Sequence, residues 1–229
     1  SLRFNPPLEA LDLLVSLAGF FRSHNVSAYL VGGFLRDILI GRLTTDIDLA
    51  VEGHVLVLAK ELAAETKGTL VPLDETHAMA RVVVPGKDGW QLDLAPFSQG
   101  IHQDLTRRDF TIDALGLSLE DSLGRSPWEK LVDPCGGLSD LVSGTIKAVS
   151  DHVFQDDPAR LLRGVRLAAQ LCFSMDETTK GLIKRDANLL STVAPERLRD
   201  DFLKTIAEPD TSHNLRLMDE LSLLCRPIP

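Results

Sequence analysis

Only three cysteines, Cys135, Cys172 and Cys225, occur in 229 residues, and they stand far apart. With no C-x-x-C pair and no Cys/His metal spacing, neither a disulfide framework nor a zinc site is expected, and a reducing, cytoplasmic compartment is. No run of about 18 apolar residues and no basic-plus-apolar leader is present, which argues against membrane spanning and secretion. Repeats and low-complexity tracts are also missing, and no His-Asp dipeptide marks a metal phosphohydrolase domain. Neither G-x-G-x-x-G nor G-x-x-x-x-G-K-[ST] occurs, so a dinucleotide-dependent dehydrogenase and a P-loop ATPase are disfavoured. Positive charge is in deficit as well: Lys and Arg number 24 against 33 Asp and Glu, a formal net charge of −9. Any nucleic acid would therefore be held by local patches rather than by the overall field.

What is present suffices for a full core, since 44% of the residues are apolar and the length fits one large domain or two small ones. The chain opens on Ser1 and stops at "LLCRPIP", as expected of a segment of a longer protein. Its first part alternates. The pattern predicts a helix over Leu8 to His24, a strand "AYLV", a helix from Phe34, a strand "DIDLAV" and a helix over Val55 to Lys67, followed by the strands "TLVPLD", "ARVVV" and "WQLDLA". That is an α/β (α+β) unit. From about Asp151 the periodicity becomes helical, with Leu161, Leu162, Val165, Ala168, Ala169 and Cys172 forming one apolar stripe whose flanking arginines lie near the edge. The expected division is a head over 1–150 and a helical neck over 151–229. Basic residues cluster at Arg107-Arg108 and at Arg160, Arg163 and Arg166. Lys184-Arg185 and Arg197/Arg199 read as solvated helix faces.

Residues 29–53, "YLVGGFLRDILIGRLTTDIDLAVEG", concentrate the chemistry. Strand side chains alternate faces, so Asp46 and Asp48 project from one side with Cα atoms roughly 6.5–7 Å apart. Two carboxylates so close favour cations. Hard divalent ions held by carboxylates and phosphate oxygens activate a hydroxyl and stabilise a leaving pyrophosphate, which makes phosphoryl or nucleotidyl transfer a coherent reading. An isolated Asp-x-Asp equally describes an exposed strand face. Gly32-Gly33, between strand and helix, lets backbone amides approach a phosphate, with Arg36 one turn further in. The same pair also suits a turn that needs no ligand.

Five segments in this order, "VGGFLRDILIGRLTTDIDLAVEG", "DLTRRDFTIDAL", "LVDPCGGLSDLVSGTIKAV", "DDPARLLRGVRLAAQL" and "VAPERLRDDFLKTI", resemble the successive motifs of the class II tRNA nucleotidyltransferase and bacterial poly(A) polymerase family. The resemblance covers nearly the whole chain. It implies a polymerase-β-like nucleotidyltransferase head with a mixed sheet and helices, then an all-helical neck, with the family's C-terminal body and tail absent. It further implies that Asp46 and Asp48 bind Mg²⁺, in all two ions, and that Gly32, Gly33, Arg36 and Arg108 contact the triphosphate of ATP or CTP. Asp93 in "QLDLAPF" falls where many members carry a third strand carboxylate, although an outward-facing strand Asp fits it equally. In "DDPARLLR" the family's Asp and Arg imitate the pairing edge of a base, a role that falls on Asp157 and Arg160. Arg163 and Arg166 lie near the triphosphate in the same resemblance. By themselves Asp157 and Pro158 read as an N-cap and first helical residue, and the two arginines as surface ion pairs.

Three features depart from the family pattern. Asp113 stands where Asn is usual, and an acid near a triphosphate is repulsive unless it turns away or meets a cation. Asp156 replaces a common Glu. Only "APFSQGIHQ" joins "QLDL" to "DLTRRDF", where CCA-adding relatives often carry a longer loop, so CC addition joins A addition, CCA addition and poly(A) synthesis among the products to consider. The implied activity is template-independent, Mg²⁺-dependent addition of CMP or AMP to an RNA 3′ end, most simply that of tRNA. The alternatives are a noncatalytic RNA-binding domain that retains the fold, and nucleotidyl transfer to a non-RNA acceptor.

Overall fold

The computed structural model describes residues 2–74, 76–86 and 89–224. Cys225 lies outside them, while Cys135 and Cys172 are free thiols. Among the described residues, no helix is long and apolar enough to cross a membrane. The chain packs as two units. One comprises the segment through Thr106 together with Asp113–Cys135, and the other Arg107–Ile112 and the segment from Gly136 onward.

The first unit follows the alternation of the sequence: α1 (Leu8–Ser23), β1 (Ala28–Val31), α2 (Gly32–Ile40), β2 (Asp46–Glu52), α3 (Val55–Glu65), β3 (Thr69–Asp74), β4 (Met79–Val83), β5 (Gln91–Phe97), α4 (Ile101–Thr106), β6 (Gly116–Ser118) and α5 (Leu119–Ser122). The strands form one mixed sheet of order β3-β4-β5-β2-β1-β6, in which β2 and β5 run parallel and the other neighbours antiparallel. β2 is thus interior. Its alternate residues Ile47, Leu49 and Val51 enter a core with Leu14, Leu17, Phe34, Leu62, Leu92 and Leu94. Each such fully buried side chain contributes about 1.5–3 kcal/mol relative to exposure. Helix α2 begins two residues earlier than the apolar pattern suggests, because Gly32 accepts φ 58° and lets the chain turn from strand directly into helix. It stops at Gly41, which adopts φ 76° and returns its N–H to the Ile38 carbonyl.

The second unit contains α6 (Gly137–Ser143), β7 (Thr145–Ile146), α7 (Val153–Asp156), α8 (Arg160–Leu171), β8 (Ser174–Met175), α9 (Glu177–Asp186), α10 (Pro195–Ala207) and α11 (Thr211–Glu220). The expected all-helical region carries one exception, since β8 pairs in parallel with β7. Two-residue strands leave no alternation for a sequence pattern to register. Leu161, Leu162, Val165 and Ala168 are buried as the stripe requires. Cys172 is not: it is exposed, with φ 54°, and closes α8 while the next residue, Phe173, returns its N–H to Ala168. The sequence also understated Gly164. A methyl there would stand 2.8 Å from Phe110 Cζ, so α8 seats on that ring only because position 164 has no side chain.

Candidate functional site

In the first unit, the edge-free position of β2 fixes which way its carboxylates face. Ile47 is buried on one side, while Asp46 is exposed and Asp48 half-buried on the other. Asp48 is held further: its Oδ2 accepts the Phe34 N–H at 3.1 Å, taking the place of a local cap at the start of α2, which has none from its own N-cap residue Val31. A methyl on Gly33 would stand 3.3 Å from that same oxygen and 3.4 Å from Arg36 Nη2. The missing side chain at Gly33 therefore lets Asp48 and Arg36 close on the helix start.

Arg36 is buried. Its Nε donates to Asp37 Oδ1 at 2.8 Å and its Nη1 to Asp113 Oδ1 at 2.6 Å. Burial alone would lower the guanidinium's affinity for its proton, but the two carboxylates outweigh that and hold it firmly charged. Asp113, the departure noted above, has met a cation. Asp93 stands in register with Asp48 on parallel β5 and accepts both Nε and Nη2 of Arg81, at 2.6 and 2.7 Å. Asp93, and at longer range Asp46 and Asp48, raise the Arg81 guanidinium's affinity for its proton. Arg81 carries no motif, and only the β4–β5 register reveals it.

Among the described residues, no group of three or more His, Cys, Asp or Glu forms a ligand set. A cation at Asp46 and Asp48 would take hard carboxylate oxygens from one strand face and complete its shell from elsewhere. That donor set fits Mg²⁺, which binds through one or two carboxylates and keeps positions for water and substrate phosphate.

The second unit gathers the other candidates. Residues 109–111 pair alongside 147–149: Thr111 donates to the Lys147 carbonyl at 2.9 Å and Val149 to that of Asp109 at 3.1 Å. This seats "RRDF" beside α8. Arg163 Nε lies 2.7 Å from Asp109 Oδ2, and Arg160 donates to the carbonyls of Arg107 at 3.2 Å and Val153 at 3.3 Å. Burial would raise the Asp109 carboxyl, yet the Arg163 charge and the Phe110 N–H outweigh it and hold it below the ordinary carboxylate range. Arg166 pairs with Asp201 of α10 at 3.1 Å. Arg108 is half-buried in the same segment.

Asp157 precedes α8 in extended conformation, and its Oδ1 accepts the Ala159 N–H at 3.1 Å, a capping bond. The helix itself starts at Arg160, one turn-forming step later than a cap at Asp157 implies, because Arg160 N–H still bonds the Asp157 carbonyl at 3.1 Å. The other carboxylate oxygen of Asp157 accepts from Arg197 at 3.0 Å. The charge pattern of the sequence describes Arg197 as a solvated charge, and its position in "APERLRDD" is the signal that singles it out. Asp109 likewise sat unassigned within "RRDF".

A family model described as the Poly A polymerase head domain matches residues 28–147, and one described as a probable RNA and SrmB-binding site of polymerase A matches 172–229. A CC-adding tRNA nucleotidyltransferase of Geobacter sulfurreducens is 40% identical over 199 residues, which is 86% of this chain and 44% of that protein. The Thermotoga maritima CCA-adding enzyme complexed with tRNA-CCA superposes with a TM-score of 0.83 at 33% identity, over 95% of this chain and 52% of the other. A CCA-adding enzyme in complex with CTP gives a TM-score of 0.82 at 32% identity, over 95% and 51%. The chain spans about half the length of the curated relatives it matches.

Proposed function

The chain belongs to the poly(A) polymerase head-domain family, and from that premise we propose that it transfers nucleotides, without a template, to the 3′ end of a tRNA. The observation that carries the reading is the pair Asp46 and Asp48 on one strand face, with Asp48 fixed to the start of α2 by the Phe34 N–H. Asp46 and Asp48 would hold Mg²⁺, which when bound supplies Lewis-acid activation of the attacking hydroxyl and charge stabilisation at the leaving pyrophosphate.

The remaining work falls to the chain's own groups. The α2 N-terminus at Gly32-Gly33 offers backbone donors to the triphosphate, and Arg36 turns Nη2 toward the same corner. Asp157 and Arg160 select the base by hydrogen bonding. Their side chains are already ordered, Asp157 by Ala159 and Arg197, Arg160 by two carbonyls, so little rotamer freedom is lost when a nucleotide arrives. Arg108, Arg163 and Arg166 supply positive charge for phosphates, and planar guanidinium donors suit that task. Catalysis is assigned to the head, residues 1–150, and nucleotide selection to the neck, 151–229, with the reaction in the cytoplasm.

CC addition is the product we favour. β5 and α4 are joined by only Ser98, Gln99 and Gly100, and the Geobacter relative carries that activity in its name. Extension of tRNAs ending before CCA, after C and after CC, with labelled CTP or ATP and Mg²⁺, tests this at single-nucleotide resolution. Two C additions that then stop support it, A incorporation assigns a different member activity, and binding of tRNA without extension supports a noncatalytic role.

A further inference from the structure

The buried arginine at the helix start carries more acid than a phosphate-binding cation needs. Arg36 donates from Nε to Asp37 at 2.8 Å and from Nη1 to Asp113 at 2.6 Å, and Asp113 is itself almost wholly buried. The third nitrogen, Nη2, lies against Gly33, 3.4 Å from where a methyl would be, beside the Oδ2 of Asp48. A guanidinium is a rigid planar fork, so fixing two of its nitrogens fixes where the third points. Two carboxylates on one guanidinium therefore offset its charge before any phosphate arrives.

We propose that Asp113 is a positioning residue which, together with Asp37, aims Arg36 Nη2 at the Gly33 corner and offsets its charge, so that Arg36 contributes direction to the polyphosphate more than attraction. The proposal rests on the triphosphate reading above. Its consequence is kinetic: an arginine whose charge is already offset holds nucleoside triphosphate less tightly than a lone guanidinium would, and lets pyrophosphate go. Adding attraction that applies equally to substrate and product would tighten both and gain nothing in the chemical step.

The test is equilibrium binding of pyrophosphate and of CTP to the 229-residue chain, by calorimetry with and without Mg²⁺, alongside thermal melting. Asp113→Asn keeps the shape and an acceptor for Nη1 while removing one charge, and should tighten both ligands by about tenfold, with a steeper salt dependence. In steady state the KM for CTP should fall while kcat falls or stays level. Asp113→Ala, which also removes the acceptor, should weaken binding instead. Asp37→Asn removes a charge from the same guanidinium by a less buried route. It should tighten both ligands too, and it decides the matter if Asp113→Asn does not fold. Parent binding that the charge-removing variants leave unchanged, with only melting affected, would reduce Asp113 to a structural ion pair and overturn the proposal alone. Failure of parent and variants alike to bind either ligand would remove the phosphate seat itself, and this proposal with it.

Discussion

Asp93 stands in register with Asp48 on the neighbouring parallel strand, and both of its carboxylate oxygens accept from Arg81, at 2.6 and 2.7 Å. A bidentate arginine leaves a carboxylate few lone pairs for a metal. Asp93→Asn is therefore expected to lower nucleotide addition by no more than about tenfold, whereas Asp46→Asn lowers it by on the order of 10²–10³-fold or more. Equal losses in single-turnover assays would give Asp93 a place among the metal ligands.

The two strand aspartates should also separate in stability. Asp46→Ala removes an exposed side chain and should leave the melting temperature within about 2 °C of the parent while abolishing addition. Asp48→Ala abolishes addition too, and in addition strips the acceptor from the Phe34 N–H, at a cost of about 1 kcal/mol. Urea unfolding of both variants checks the difference.

Two glycines should fail in different ways. Gly33→Ala places a methyl against Asp48 and Arg36, so activity should drop at least about tenfold with little loss of stability. Gly164→Ala drives a methyl into Phe110 at 2.8 Å, an overpacking expected to cost about 1–3 kcal/mol. Loss of activity without loss of stability at Gly164 would contradict that assignment.

At the α8 entrance, Asp157→Ala should blur the choice between CTP and ATP and cost about 1 kcal/mol as the Ala159 N–H loses its acceptor. Arg197→Ala leaves that capping bond in place and frees only the second oxygen. It should relax selectivity less, with almost no effect on melting. Competition assays with mixed nucleotides measure both, and an unchanged preference in Asp157→Ala would leave the residue as a cap.

Acid should act through Asp109. Its folded carboxyl is held below the unfolded value of about 3.9, so its contribution to stability is present above about pH 4 and is lost as pH falls through the lower folded value. Asp109→Asn should cost about 1–3 kcal/mol at neutral pH, less than a fully buried pair because Arg163 is 44% exposed and screened. It should also flatten the stability profile below pH 4. Parallel acid-unfolding curves for parent and variant would contradict the coupling.

Much of the site was legible because local periods determine it. A strand repeats every two residues, so "DIDLAV" by itself puts Asp46 and Asp48 on one face with Ile47 on the other, whatever the rest of the chain does. The Gly-Gly turn and the α8 stripe follow from equally short-range rules, and "AYLV" is β1 residue for residue. Ion pairs obey no such period. Arg36 meets Asp113 across 77 residues of sequence, Arg197 meets Asp157 across 40, and Arg81 finds Asp93 through antiparallel pairing of β4 with β5. Which acid neutralises which arginine depends on where separate elements converge, and burial then makes the pairing strong. The sequence alone determined that two carboxylates share a strand face below a glycine turn. Only the tertiary structure decided that the arginine beside them is clasped by two acids, because Coulomb energy depends on separation in space and on the dielectric around it, and neither is written in residue order.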